Sequence, residues 1–340
     1  MSRTRKIIYG SLIALCAVLL VLGAFFDKNI AEKMYQPDNV IAKVMQSVGI
    51  FPPFIFIAGM FAVLFYLVKG EQKNALLKKC LTASGVALSY AIFGFMATEH
   101  LLESVLSRML IAIGSAVMLS PLTFLLFRTK SREQLKRLSI FLIFASMVSL
   151  ISSLISINAL KYLWGRVRYR EMIATEDYLL ESFTPWYQIN GFSLHGHHSF
   201  PSGHTSAAAN LLVFCALPEV FPEAEGKQKV TIFLCAAYIV SMAYSRMVLG
   251  AHFLSDVTVG FLIGFLTYAI ARYLYFDKSR IVVDAILDVN RMSQQEHDAE
   301  SVTDEPLPLI EDVEGEGSAL IEIPDEIEQS ELSDEEGGER

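Results

Sequence analysis

The sequence predicts an all-α fold, a polytopic transmembrane helical bundle of about eight spans with a disordered acidic C-terminal tail. Three observations predict it. Of 340 residues, 53% are hydrophobic and only 19% are charged, whereas soluble chains carry roughly a quarter charged residues. The apolar residues come in blocks of about 20, the length that crosses a ~30 Å hydrocarbon core. The net charge of −8 is divided. Residues 292–340 hold 18 Asp and Glu against Arg340, net −17, and residues 1–291 hold 27 Lys and Arg against 18 acids, net +9. A basic, apolar body excludes a soluble enzyme and confines disorder to one end. It also excludes nucleic acid as a partner, because the positive charge sits in short loops and not on one continuous face.

The first span, Ile7–Phe26, follows Arg3, Arg5 and Lys6. It is longer than a signal-peptide core and no small-x-small cleavage site closes it, so it reads as an uncleaved span. Further spans are expected at Ile50–Val68, Leu81–Ala97, Met109–Phe127, Ile140–Leu160, Thr205–Leu217, Val230–Tyr244 and Ser255–Phe276. The sixth and seventh are short. Residues 1–138 thus form N-terminal helices, 139–276 a core and 277–340 a cytoplasmic tail.

Basic residues stay cytoplasmic in short loops. Lys69, Lys73, Lys78 and Lys79 lie in one such loop, and Arg128, Lys130, Arg132, Lys136 and Arg137 in another. Together with the basic N-terminus they place both termini inside and the 161–204 loop outside. Lys161, Arg166, Arg168 and Arg170 then form a basic cluster on the side the charge rule disfavours, as expected if they bind something.

Three segments are polar where polarity is costly. Lys161-Tyr-Leu-Trp-Gly-Arg-Val-Arg168 ends the fifth span, and its two outer cations share a face if the helix continues. Pro201-Ser202-Gly203-His204-Thr205 precedes the sixth span. Ser245-Arg246, His252 and Asp256 join the last two. These groups suit a phosphoryl group. Lys161, Arg168 and Arg246 can neutralise a dianion, arginine with planar bidentate donors. Ser202 and the Gly203 N–H can complete the cradle. Asp256, one helical turn after His252, can hold one imidazole N–H and free the other nitrogen as a nucleophile. His204 can protonate the leaving oxygen. Such a site needs no metal and no cofactor.

In their order and spacing, Lys-x6-Arg, Pro-Ser-Gly-His and Ser-Arg-x5-His-x3-Asp resemble the three motifs of the type 2 phosphatidic acid phosphatase superfamily, over residues 161–256. The resemblance implies a helical-bundle lipid phosphatase working through a phosphohistidine, with His252 as nucleophile and His204 as acid. Tyr169 stands where such enzymes usually carry proline, and there are two more spans before the first motif than a six-span member needs. The substrate classes expected are an isoprenoid pyrophosphate, such as undecaprenyl pyrophosphate, and a phosphatidic-acid-type glycerolipid, cleaved at the extracytoplasmic face. The rival readings are a vanadate haloperoxidase, opposed by the spans, and a non-catalytic phospholipid-binding or transport protein, opposed by the histidine pair.

Other features have plainer readings. His195, His197 and His198 read as a polar loop near the site before they read as metal ligands. Arg166 and Arg170 are either phosphate or headgroup contacts or surface charges. Trp164, Trp186 and Tyr187 fit an interfacial aromatic belt. Cys16, Cys80, Cys215 and Cys235 show no ligand spacing and read as isolated thiols. The tail carries apolar residues such as Leu307, Leu309 and Ile321, which suit a docking segment for a cytoplasmic protein partner.

Overall fold

The computed structural model describes residues 3–70, 73–174, 183–192 and 196–278. The acidic tail with its expected disorder and docking segment lies outside these residues, as does His195. All regular structure among the described residues is helical.

Helix α1 (Arg3–Met34) covers the first expected span and runs about two turns past it. The second expected span is entered through α2 (Val40–Val48), capped by Asn39, whose side chain accepts from the Ala42 N–H. A short break at Gly49 and Ile50 precedes α3 (Phe51–Leu67), where Pro52 and Pro53 sit in the first turn. Proline is tolerated there because those N–H groups have no helical acceptor, but it cannot continue α2 into α3. Helices α4 (Ala75–Ala97) and α5 (Val105–Arg128) pack against each other and against α3. On α5, Leu106, Leu110, Val117, Met118 and Leu126 are exposed, the surface a lipid-facing helix presents.

The fifth span is α6 (Arg132–Ser149), a π-helical stretch Leu150–Ser156, and α7 (Ile157–Trp164). It starts on a reciprocal cap between Ser131 and Gln134 and is the most buried span of the bundle. After the short α8 (Tyr169–Ala174) comes α9 (Gly203–Ala209), which passes directly into a 3-10 helix, Asn210–Glu219. A second 3-10 turn, Pro222–Lys227, leads into α10 (Gln228–Val248). Helix α11 (Leu254–Arg272) ends in a π turn, Tyr273–Lys278.

Seven helices among the described residues are long and apolar enough to cross a membrane. The expected 205–217 span is the exception. Its 7 α-helical and 10 3-10 residues still reach about 30 Å, because a 3-10 helix rises ~2.0 Å per residue against ~1.5 Å in an α-helix. It needs little lipid-facing surface, since Ala207, Ala208, Ala209, Val213 and Ala216 are buried inside the bundle. The core gathers Phe56, Phe144, Val148, Val213 and Tyr268 from α3, α6, the 3-10 helix and α11.

Small residues set the approach of the helices that carry the motifs, as is usual for packing in lipid. A Cβ on Gly260 would lie 2.4 Å from the Ser202 carbonyl oxygen, and one on Gly264 2.6 Å from the Ala209 Cβ. Helix α11 is thereby pressed onto α9. A Cβ on Gly23 would lie 2.9 Å from the Ser255 Cβ, so α1 closes on the start of α11 in the same way.

Candidate active site

The first motif is not one continuous helix. Helix α7 stops at Trp164 and Gly165 takes φ +57°, a left-handed conformation that glycine adopts without strain. A Cβ there would also meet the Gly191 carbonyl oxygen at 2.6 Å. The chain beyond is pinned by backbone bonds, Asn190 N–H to the Trp164 carbonyl (3.0 Å) and Ser199 N–H to the Arg166 carbonyl (2.9 Å). Lys161 and Arg168 therefore do not share a helical face, yet both line the same cavity. Tyr169, in the position expected for proline, is buried edge-on against Tyr35 with ring centroids 5.4 Å apart.

Arg166 is the residue that sequence reasoning left undecided. It is fully buried at the end of the bundle. Its Nη1 donates to Asp256 Oδ1 at 2.5 Å and to Ser255 Oγ at 2.9 Å, its Nη2 to Asp27 Oδ2 at 3.0 Å, and its Nε to the Thr184 carbonyl at 3.0 Å. Phe253 lies beneath the guanidinium, 4.3 Å from its centre. Asp27 in turn accepts from the Ser255 N–H at 3.0 Å and from the Ser255 hydroxyl. Two buried carboxylates thus share one arginine, and one of them comes from α1. The signal for Asp27 was a lone carboxylate directly after the first apolar run, a costly placement that marks a paired or functional residue.

Asp256 is held on every side. Its Oδ2 accepts from the Ser199 hydroxyl (2.5 Å) and the Phe253 N–H (2.9 Å), and its carbonyl from the Ser202 N–H (3.0 Å). His252 does not hydrogen-bond this carboxylate directly. Its Nδ1 meets the Ser199 carbonyl oxygen at 2.5 Å, while Asp256 Oδ2 stands 3.8 Å away. A carbonyl only accepts, so the proton sits on Nδ1 and the Nε2 lone pair is free. Burial is the main cause that drives His252 down to about 3, with the Arg246 charge adding to it and Asp256 opposing. The ring is neutral at ordinary pH.

In the second motif Ser202 is fully buried. Its hydroxyl caps α9 by accepting from the Thr205 N–H at 3.4 Å and lies 3.0 Å from the Thr205 hydroxyl. It is not part of the cavity wall, whereas Gly203 and His204 are. A Cβ on Gly203 would sit 3.5 Å from the Lys161 ammonium, so the lysine extends across this glycine. Gln46, on α2, links two motif residues. Its carbonyl meets His204 Nε2 at 3.0 Å, and its side-chain oxygen accepts from Arg246 Nη1 at 2.8 Å. Arg246 Nε, buried, has no partner.

The result is one cavity of about 390 Å³ lined by Lys161, Arg168, Gly203, His204, Arg246 and His252. One wall is apolar, from Pro53, Phe54 and Ile57 of α3 and Ile157 of α7. Arg170, His198, Glu99 and His100 reach it as well. The last two lie in the α4–α5 loop and carried no motif signal. His100 keeps an exposed face, and partial desolvation first, then the surrounding arginines, lower its pKa. His198 stands edge-on to Tyr162, and His197 lies 3.8 Å from Glu171, which also holds Arg168 at 3.0 Å. Among the described residues no cluster of three or more His, Cys, Asp or Glu is arranged to hold a metal ion. Trp164 and Trp186 do more than mark an interface: Trp164 Nε1 donates to the Trp186 carbonyl at 2.7 Å and Trp186 Nε1 to the Leu20 carbonyl at 3.0 Å, tying the loop to α1.

Residues 141–280 match the model of the PAP2 superfamily. The chain is also 29% identical over 115 residues to a protein of Haemophilus influenzae named phosphatidylglycerophosphatase B. That alignment covers 34% of this chain and 47% of the relative, so the chain spans about half the length of the curated relative it matches. No solved structure matches the chain.

Proposed function

We propose that this chain, whose residues 141–280 match the model of the PAP2 superfamily, is an integral membrane phosphatase that removes a terminal phosphate from a lipid. One observation carries the reading. The two motif histidines and the three motif cations, from three separate segments, converge on one cavity beside an apolar wall. A phosphate-binding protein needs the cations; the histidines at the same cavity add a nucleophile and an acid.

The Nε2 lone pair of His252 attacks phosphorus, and the bond from phosphorus to the lipid oxygen breaks. His204, protonated when the negatively charged phosphate is bound beside it, gives its proton to that oxygen, which leaves as an alcohol, or as a lipid monophosphate when the substrate is a pyrophosphate. Water then attacks the phosphohistidine, His204 takes the proton back, and inorganic phosphate departs. Lys161, Arg168, Arg246 and the Gly203 N–H hold the non-bridging oxygens, and Ser202 fixes the turn that presents Gly203. Asp256, paired with Arg166, steadies the positive charge that develops on the His252 ring. Catalysis is then mainly positioning and charge stabilisation, and the cations supply what a metal would.

The orientation belongs to the same reading. The cavity lies at the end of the bundle where α1 and α10 finish, opposite the end that carries Arg5, Lys69 and Arg132. The basic-loop rule makes the latter end cytoplasmic, and the cavity extracytoplasmic.

The test is phosphate release by the purified protein in detergent with EDTA, from undecaprenyl pyrophosphate, phosphatidic acid and phosphatidylglycerol phosphate, beside His252→Ala. Release from at least one lipid, abolished by the substitution, is expected. A folded protein that releases nothing from any of the three overturns the reading.

A further inference from the structure

We infer that the floor of the cavity is a carbonyl-binding subsite, built from Ser149 and Ser153, that selects glycerolipid esters over isoprenoid phosphates. The inference rests on the phosphatase reading and names the substrate class of that same site.

Both serines line the cavity. Ser149, at the end of α6, is 1% exposed, and its hydroxyl has no hydrogen-bond partner. A serine in a membrane helix ordinarily donates to a carbonyl one turn back; here the passage from α6 into the π-helical stretch leaves that bond unmade. Ser120, Ser146 and Ser206 also lack a partner, but none of them lines the cavity. Ser153, one turn on, accepts from Asn210 Nδ2 at 2.9 Å, and Asn210 is itself held by the Ser152 hydroxyl at 2.7 Å. That arrangement fixes the Ser153 oxygen and leaves its own proton for another acceptor.

The placement along the span fits a lipid with its phosphate at the cations. The Lys161 ammonium and the Ile157 side chain both pack against Gly203, so the cationic centre is level with Ile157. Ser153 and Ser149 lie four and eight residues before it, at most about 6 and 12 Å deeper, since the wider π-helical stretch rises less than the ~1.5 Å per residue of an α-helix. A glycerolipid carries its ester carbonyls a few bonds from its phosphate, and each carbonyl accepts a hydrogen bond. An isoprenyl chain is pure hydrocarbon there and would leave the Ser149 hydroxyl without a partner and the Ser153 proton without an acceptor, which a polar site penalises.

The experiment measures phosphate release from three monophosphates in the same detergent: diacyl phosphatidic acid, its dialkyl ether analogue and undecaprenyl phosphate. Ester should exceed ether by roughly tenfold in kcat/KM, the size of one hydrogen bond to a neutral acceptor, and should also exceed undecaprenyl phosphate. In Ser149→Ala the ester-to-ether ratio should fall towards one, and in Ser149→Thr, which keeps a hydroxyl, it should stay high. Equal turnover of ester and ether by the unaltered protein, or a preference for undecaprenyl phosphate, overturns the subsite and leaves the phosphatase reading standing. Release from none of the three beside release from undecaprenyl pyrophosphate overturns the subsite, whereas release from none of the three, from that pyrophosphate or from phosphatidylglycerol phosphate marks failure of the phosphatase reading. Displacement of a fluorescent lipid by ester and ether then still decides the subsite, equal displacement overturning it.

Discussion

The buried Asp27–Arg166–Asp256 triad makes the strongest demand on the fold, and Asp27→Asn probes it with the least change in shape. The amide keeps the volume but removes the charge. It also turns one acceptor into a donor facing the Ser255 N–H, the Ser255 hydroxyl or Arg166 Nη2, all of which donate to Asp27. All three members are buried, and breaking one partner out of a buried ion pair costs about 3–5 kcal/mol, because it leaves charge uncompensated. Arg166 retains Asp256, so the lower part of that range, about 3 kcal/mol, is expected. At about 2–4 °C per kcal/mol for a domain of some 150–250 residues, unfolding in detergent followed by intrinsic fluorescence should start roughly 6–12 °C lower. Since Arg166 Nη1 also bonds Asp256 at 2.5 Å, turnover should fall along with stability. An Asp27→Asn protein that melts within 1–2 °C of the unaltered one would refute the claim that α1 helps hold Asp256.

Other outcomes follow from single contacts. His252, down to about 3, should show no titration between pH 5 and 8 in the NMR spectrum of ring-labelled protein; a midpoint near 6.5 would contradict its burial. The sign for stability follows. Below the unfolded value of about 6.5 the unfolded chain takes up a proton that the folded one refuses, so this histidine lowers stability progressively as pH falls from there towards 3. Gln46→Ala removes the side-chain acceptor of Arg246 and, leaving a buried guanidinium short of a bond, should cost about 1–3 kcal/mol of thermal stability; its main-chain bond to His204 should survive. Gly260→Ala places a methyl 2.4 Å from the Ser202 carbonyl and should depress phosphate release more than it depresses the yield of folded, membrane-inserted protein.

Much of this architecture was legible because lipid imposes simple rules. Apolar runs such as 109–127 must be helical, since no water is present to satisfy an open backbone, and α5 duly spans Val105–Arg128. The motif residues were legible because charge in that setting is expensive. Other features were hidden for physical reasons. The 203–219 element is wound partly as a 3-10 helix, which spacing does not announce. Gly165 ends α7 in mid-motif, so a seven-residue spacing that suggests one helical face is met by a turn. His252 was expected to lean on Asp256, but the nearer acceptor is a main-chain carbonyl, that of Ser199, which any residue could supply. Gln46 and Asp27 came from elements far away in sequence, and only the packing of α2 and α1 brings them in.

That packing also separates the N-terminal helices by use. Helix α1 supplies Asp27 and α2 supplies Gln46, so both reach the core of the site, and the apolar wall of the cavity belongs to α3. Helices α4 and α5 differ. They lean on α3 from outside, and their reach to the cavity is through the loop that joins them, where Glu99 and His100 stand at the wall. If the pair serves only to bring that loop over the cavity, His100→Ala should change the ranking of lipid headgroups without changing the melting temperature, since His100 holds no helix in place. Headgroup ranking is the sharper measurement, because α4 and α5 can pack equally well around any residue at the loop tip. An unaltered ranking across phosphatidic acid, phosphatidylglycerol phosphate and undecaprenyl pyrophosphate would assign the pair a purely structural part, thickening the bundle beside α3.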